Sequence, residues 1–186
     1  MRTMTQKLLV ITSLTTALLA VAAYGYTRLA ARYGSANAPP MANPADQAGA
    51  ILVSKGAKRM QLLRDGAVLK EYRISLGGNP DGHKQKEGDN RTPEGRYVID
   101  WRNEKSAYHL SLHISYPNAD DLEKASAAGV APGGNVMIHG LPNGWSFLGR
   151  LHRQWNWTQG CIAVTDEEMR EIWSLVPNGT PIAIEG

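Results

Sequence analysis

Val136-Met137-Ile138-His139-Gly140 is a short apolar run ending in an imidazole and a glycine, and Thr158-Gln159-Gly160-Cys161-Ile162-Ala163-Val164 is a turn that runs into a second apolar segment. The first reads as a strand whose end presents His139, the second as a turn that delivers Cys161 into a following strand. Two strand ends in one sheet can bring these groups together. A thiol is a poor nucleophile until ionised, and a neighbouring imidazole takes its proton and holds the thiolate, as cysteine-based acyl transfer requires. The expectation is Cys161 as nucleophile, His139 as general base and later acid, and a thiol pKa depressed by the imidazole. Gly160 lets a substrate carbonyl approach the backbone, so the amides near Gly160 and Cys161 are candidates for an oxyanion hole.

Outward from these stretches the chain reads as mainly β. Ala50 to Ser54, Arg59 to Arg64, Ala67 to Leu76, Gly95 to Trp101, Tyr108 to Ser115 and Pro181 to Glu185 are short runs, often β-branched, bounded by turn residues. Asp65-Gly66 between two apolar alternations signals a hairpin, because both positions tolerate positive φ. In Tyr108 to Ser115, Leu110, Leu112 and Ile114 share the core face, and His109, Ser111 and His113 the exposed or cleft-lining face. Helices are expected over 119–128 and 166–175, the second opened by a Thr165/Glu168 capping box and buried through Met169, Ile172, Trp173 and Val176.

The chain has 186 residues, 42% hydrophobic and 20% charged, which fits one globular domain with an N-terminal appendage. Its formal charge of +3 is spread along the chain with no nucleic-acid motif, so nucleic acid is not an expected partner. Arg2 and Lys7 precede an uncharged run, Leu8 to Tyr26, followed by Arg28 and Arg32. Residues 1–33 therefore read as a signal peptide or a membrane anchor. Cleavage-like triplets at Ala20-Val21-Ala22 and Ala36-Asn37-Ala38 keep both open. Residues 34–47, rich in Ala, Pro and Asn, read as a linker, and 48–186 as the folded domain. Export places the protein in the periplasm or cell envelope, held at the inner membrane if the helix is retained. In an exported chain a single Cys is paired between molecules, buried and inert, or a reactive thiol, and the strand-end His139-Gly140 with the turn-borne Gly160-Cys161 turns the reading to the last. No metal-ligand spacing is present and no cofactor is expected.

His139-Gly140 followed by Thr158-x-Gly160-Cys161 resembles the signature of the L,D-transpeptidase (YkuD-type) catalytic domain, and Gly88-Asp89-Asn90-Arg91-Thr92-Pro93-Glu94-Gly95-Arg96-Tyr97 is similar to another segment of that family. Ile114-Ser115-Tyr116-Pro117-Asn118 is similar to a third, so the likeness extends from about Ala50 to Gly186. The resemblance implies a β-sandwich-like fold of mixed sheets with one or two short helices and a pocket for the thiol. It implies attack by Cys161 on the carbonyl between the third residue of a peptidoglycan tetrapeptide stem and its terminal D-Ala. The thioester formed is resolved by an amine, from a second stem or from the Lys of an envelope protein. Gly140 would orient His139 through its carbonyl, and Thr158 and Gly160 would shape the turn. The chain departs from the family with Gln159 where many members have His, and Ala163 where many have a polar residue.

The segment Leu141 to Trp157 reads either as a lid over the stem peptide, with Arg150, Arg153 and Trp157 as substrate-binding candidates, or as aromatics packed onto the domain. Residues 89–95 read as turn and strand entry more than binding loop. His83, His109 and His113 show no partner in the sequence. A hydrolase on the same Cys-His pair, acting as an L,D-carboxypeptidase or amidase, and a non-catalytic wall-binding module are the alternatives to the transferase.

Overall fold

The computed structural model describes residues 4–33 and 37–186. Residues 1–3, with Arg2, and 34–36, with part of the expected linker and Ala36 of one cleavage-like triplet, lie outside the described residues, as do the side chains of Lys7 and Arg32. Helix α1 (Met4–Tyr33) is apolar all round and projects with its described side chains largely exposed; its stretch Leu9–Ala30 is long and apolar enough to cross a membrane. Residues 37–47 pack along the C-terminal half of the last helix. Asn37 and Pro40 carbonyls accept from Arg170 and Ser174, and the Ala42 amide donates to Ser174 O.

The domain is one mixed sheet built from β1 (Ala50–Ser54), β2 (Arg59–Arg64), β3 (Ala67–Arg73), β4 (Gly95–Asn103), β5 (Ser111–Ile114), β6 (Met137–His139), β7 (Ile162–Ala163) and β8 (Pro181–Glu185). Two helices accompany it, α2 (Ala119–Ala127) and α3 (Asp166–Leu175). The strand order is β3-β2-β1-β8-β4-β5-β6-β7. The long strand β4 joins the two halves. Gly95 to Val98 pair with β8, and after a register shift between Ile99 and Arg102 the strand pairs with β5. Such an irregularity bends a strand, so the sheet curls at β4 and the mainly β, mixed-sheet reading is realised with the two halves continuous. The β2–β3 hairpin turns at Asp65 (φ 51°) and Gly66 (φ 79°), both in the left-handed region as expected.

Alternation decides what each strand buries. Leu110, Leu112 and Ile114 are fully buried, and with Ile99, Ile138, Ile162 and Ile184 they face α3 through Met169, Ile172 and Trp173. The Thr165/Glu168 capping box opens α3, and Asn118 with Asp121 forms another at α2. Arg102 closes the other end of α3: its guanidinium lies 4.2 Å over the Trp173 ring and donates to the Trp173 and Val176 carbonyls, a cation at a helix C-terminus. The strands expected over Ala67 to Leu76 and Tyr108 to Ser115 are shorter, ending at Arg73 and starting at Ser111. His109 sits at φ 66°, outside β5, so its ring leaves the strand face while Ser111 and His113 keep theirs.

Candidate active site

β6 and β7 run parallel with Ile138 opposite Ile162 and His139 opposite Ala163. Cys161 precedes Ile162, so by the two-residue alternation its side chain shares a sheet face with Ala163 and its cross-strand partner His139. Both line one cavity of about 470 Å³. The same wall holds Asn103, Ser106, Tyr108, Ser111, Asn135, Met137, Trp157, Thr158 and Gln159.

His139 is buried, and its Nδ1 lies 2.6 Å from the Gly140 carbonyl. A carbonyl only accepts, so Nδ1 carries the proton and Nε2 keeps its lone pair free. Burial pushes the imidazole pKa down to about 4, against a smaller upward effect of the Gly140 bond, so the ring is neutral at physiological pH. Tyr108 packs at 4.6 Å between ring centroids and Trp157 stands edge-on at 5.8 Å, fixing the ring plane. Gly140 is itself dictated by packing. A Cβ there would lie 2.6 Å from Asp166 Oδ1 and 2.9 Å from the His109 Cβ. Asp166 also accepts from the Leu141 amide and the Ser146 hydroxyl, tying the chain after His139 to the start of α3.

The turn before the thiol is held from within and from behind. Thr158 Oγ1 donates to Cys161 O at 2.7 Å and accepts from Gly160 N at 3.2 Å. The Gly160 amide is therefore engaged, whereas the Cys161 amide makes no hydrogen bond among the described residues and is the better oxyanion donor of the two. Gly160 has φ 129°, and a Cβ on it would lie 2.6 Å from Arg91 O. Gly77 is as crowded, with Asn90 O at 2.1 Å from the position of a Cβ. The segment Gly88 to Thr92 thus presses against the nucleophile turn. Its own shape comes from Asp89, which accepts from the Gln85, Lys86 and Arg91 amides and pairs with buried Lys84 at 2.8 Å. These donors outweigh burial and hold its carboxyl at about 2. Lys84 Nζ comes within 3.9 Å of where a Gly160 Cβ would stand, which places a fixed cation just behind the thiol.

The thiol itself departs from expectation. Burial raises the Cys161 pKa, and the Met137 amide and Lys84 only partly offset it. The imidazole was expected to depress it, but a buried neutral His139 supplies no positive charge. In the resting site Sγ donates weakly to Asn135 O at 3.7 Å. Thiol and imidazole are therefore both neutral near pH 7 in this arrangement.

Of the substrate-binding candidates, Trp157 lines the cavity. Arg153 does not; it makes a two-pronged pair with Glu168 at 2.5 and 2.6 Å. Arg150 borders a separate acidic cavity with Asp166, Glu167, Glu168 and Glu171. The exposed Gln159 and small Ala163 leave His152 as the second imidazole nearby. It is buried, with Nδ1 3.2 Å from Ser75 Oγ. His83 Nδ1 accepts from the Glu94 amide and its Nε2 faces Asp121 at 3.0 Å, while His113 pairs with Asp100 at 2.6 Å. Sequence reasoning missed Tyr108, Asn135 and Lys84. The Gly133-Gly134-Asn135 cluster is the one visible signal, realised as Asn135 at φ 53°.

The profile of the L,D-transpeptidase catalytic domain (YkuD) matches residues 48–184. Among solved structures the chain is similar to the helical cell shape determining protein Pgp2 from Campylobacter jejuni, at 24% identity over 73% of this chain and 46% of that one, with a TM-score of 0.54. It is similar to Bd1075 from Bdellovibrio bacteriovorus at 22% identity over 81% and 52%, with a TM-score of 0.51. The chain spans about half the length of these proteins, and the likeness is one of fold. No curated protein matches significantly. By its sequence from Ala48 to Ile184, and by a curled mixed sheet like theirs, the chain belongs to the L,D-transpeptidase catalytic domain family.

Proposed function

We propose that this protein is a cell-envelope acyltransferase in which Cys161 opens the bond between the third residue of a tetrapeptide stem and D-Ala. The observation that carries the reading is the pairing of Cys161 and His139 on one face of adjacent parallel strands, with the His139 tautomer fixed by Gly140 O. His139 Nε2 takes the Sγ proton as the C–S bond forms, and the amide of Cys161 is placed to receive the developing oxyanion. The same proton passes to the leaving D-Ala amine as the C–N bond breaks, leaving a thioester. An acceptor amine, from a second stem or an envelope-protein Lys, then attacks the thioester, His139 taking its proton and returning it to sulfur. Helix α1 fits a retained inner-membrane anchor, placing the domain in the periplasm.

The test incubates the full-length chain, in lipid nanodiscs, with tetrapeptide-bearing muropeptides and follows products by mass spectrometry. Cross-linked dimers are expected; tripeptides alone would make the enzyme a hydrolase on the same site. Cys161→Ala should abolish both products without changing the melting temperature, and turnover equal to wild type would sink the mechanism.

A further inference from the structure

Among the described residues, α1 meets the domain near its C-terminal end at Gly144. Tyr26 Oη donates to Gly144 O at 3.0 Å, and a Cβ on Gly144 would come within 2.8 Å of the Ala30 Cβ and the same hydroxyl. The apolar stretch of the helix runs from Leu9 to Ala30, 22 residues. At ~1.5 Å per residue that is about 33 Å, the thickness of a bilayer core. Tyr26 lies four residues inside its end, about 6 Å below it, so whatever touches Tyr26 sits at the boundary between headgroups and acyl chains.

Gly144 begins the segment with the largest exposed apolar side chains of the domain. The 3-10 turns over Ser146–Gln154 meet at Gly149 (φ 44°). Phe147 is 73% exposed, Leu151 61% and Trp155 52%. Leu148, in the same segment, turns inward and lines a small apolar cavity with Trp145 and Trp157, while Arg150 and Arg153 face the acidic residues of α3. A soluble protein rarely shows such a patch without a partner. Tyr24 and Tyr26 on the helix and the half-exposed Trp155 on the loop are of the residue types that settle at membrane interfaces.

We propose that the segment Leu141–Trp157 seats the catalytic domain on the bilayer that α1 spans, with Phe147, Leu151 and Trp155 inserted at the interface. The proposal rests on the anchor reading of α1. The seat connects directly to the chemistry: this segment joins the strand that carries His139 to the turn that carries Cys161, and its last residue, Trp157, walls the cavity. Seating therefore fixes the height and direction of the cavity mouth above the membrane and favours stem peptides close to it.

The full-length chain is reconstituted in phosphatidylethanolamine/phosphatidylglycerol nanodiscs, with and without acyl chains brominated near the headgroup, and the emission of Trp155 is taken as the difference between wild type and Trp155→Phe. That share should fall by at least half in brominated discs, and photoactivatable lipid should cross-link within residues 147–155. An unquenched Trp155 share, with cross-links confined to α1, overturns the seat while leaving the anchor intact, and the apolar patch then belongs to a protein partner. A chain that fails to stay in the discs overturns the anchor and the seat together.

Discussion

Two segments flank the thiol, and they are built on opposite plans. Behind it, residues 79–94 are braced within themselves and tied to the domain by buried polar bonds. Lys84 pairs with Asp89, Lys55 with Glu94 at 2.8 Å and with the Gly82 and Thr92 carbonyls, and His83 with Glu94 and Asp121. In front, residues 141–157 are also tied down, by Arg153 to Glu168, Leu141 and Ser146 to Asp166, Asn143 to Ser106, Ala107 and His109, and His152 to Ser75, yet they turn large apolar side chains outward. A buried ion pair contributes little net stability over an apolar packing but is costly to break, so it suits a wall that must keep one shape. Exposed apolar surface suits a wall that meets something else.

The comparison breaks most readily at the rear. Asp89→Ala leaves the Lys84 cation buried and unpaired, and should cost about 3–5 kcal/mol in urea unfolding. A loss below 1 kcal/mol would show that the rear segment is not held by this pair.

His139 lies between the two walls, and its burial gives the fold a pH dependence. Its folded pKa of about 4 lies below the ordinary histidine value, so the unfolded chain binds more protons between roughly pH 6.5 and 4. Stability should fall as pH drops through that window, by on the order of 3 kcal/mol for this group, and His139→Gln should flatten part of the slope. Half-buried His109 and buried His152 are shifted in the same direction and supply the remainder. A flat melting profile would mean that the ring is solvated.

Gly160→Ala should cost about 1–3 kcal/mol, from its positive φ and the contact with Arg91 O, and should lose more activity than stability because the turn carries the proposed nucleophile. Wild-type turnover would show that the turn tolerates displacement. The smallest effect belongs to the front wall. Phe147→Ser with Leu151→Ser should change unfolding in detergent-free buffer by about 0.5 kcal/mol or less, because both side chains already face solvent there. A larger loss would place them in the folding core.

Much of the frame was legible along the chain. The Asp65-Gly66 hairpin, the α3 capping box with its stripe, and the strands that carry His139 and the segment after Cys161 all rest on neighbours within a few residues, where local conformational preference suffices. Tyr108 was read as part of a strand and became the ring packed on His139, because His109 turns out of the strand at positive φ. Residues 37–47, read as a tether, are drawn onto α3 by Arg170 and Ser174. Arg150 and Arg153 of the front segment read as substrate-binding candidates in the sequence, but Glu168 claims Arg153.

By itself the sequence determined the chemistry available: one thiol, an imidazole ending a strand, glycines at both sites, and an apolar N-terminal helix. Those are properties of residue type and short spacing. Only the tertiary structure decided that the imidazole is neutral, that the thiol is raised instead of lowered, that Lys84 stands behind Gly160, and that Gly144 meets Tyr26. Each of these depends on burial and on contacts between distant segments, and desolvation acts on a group only once the fold has closed around it.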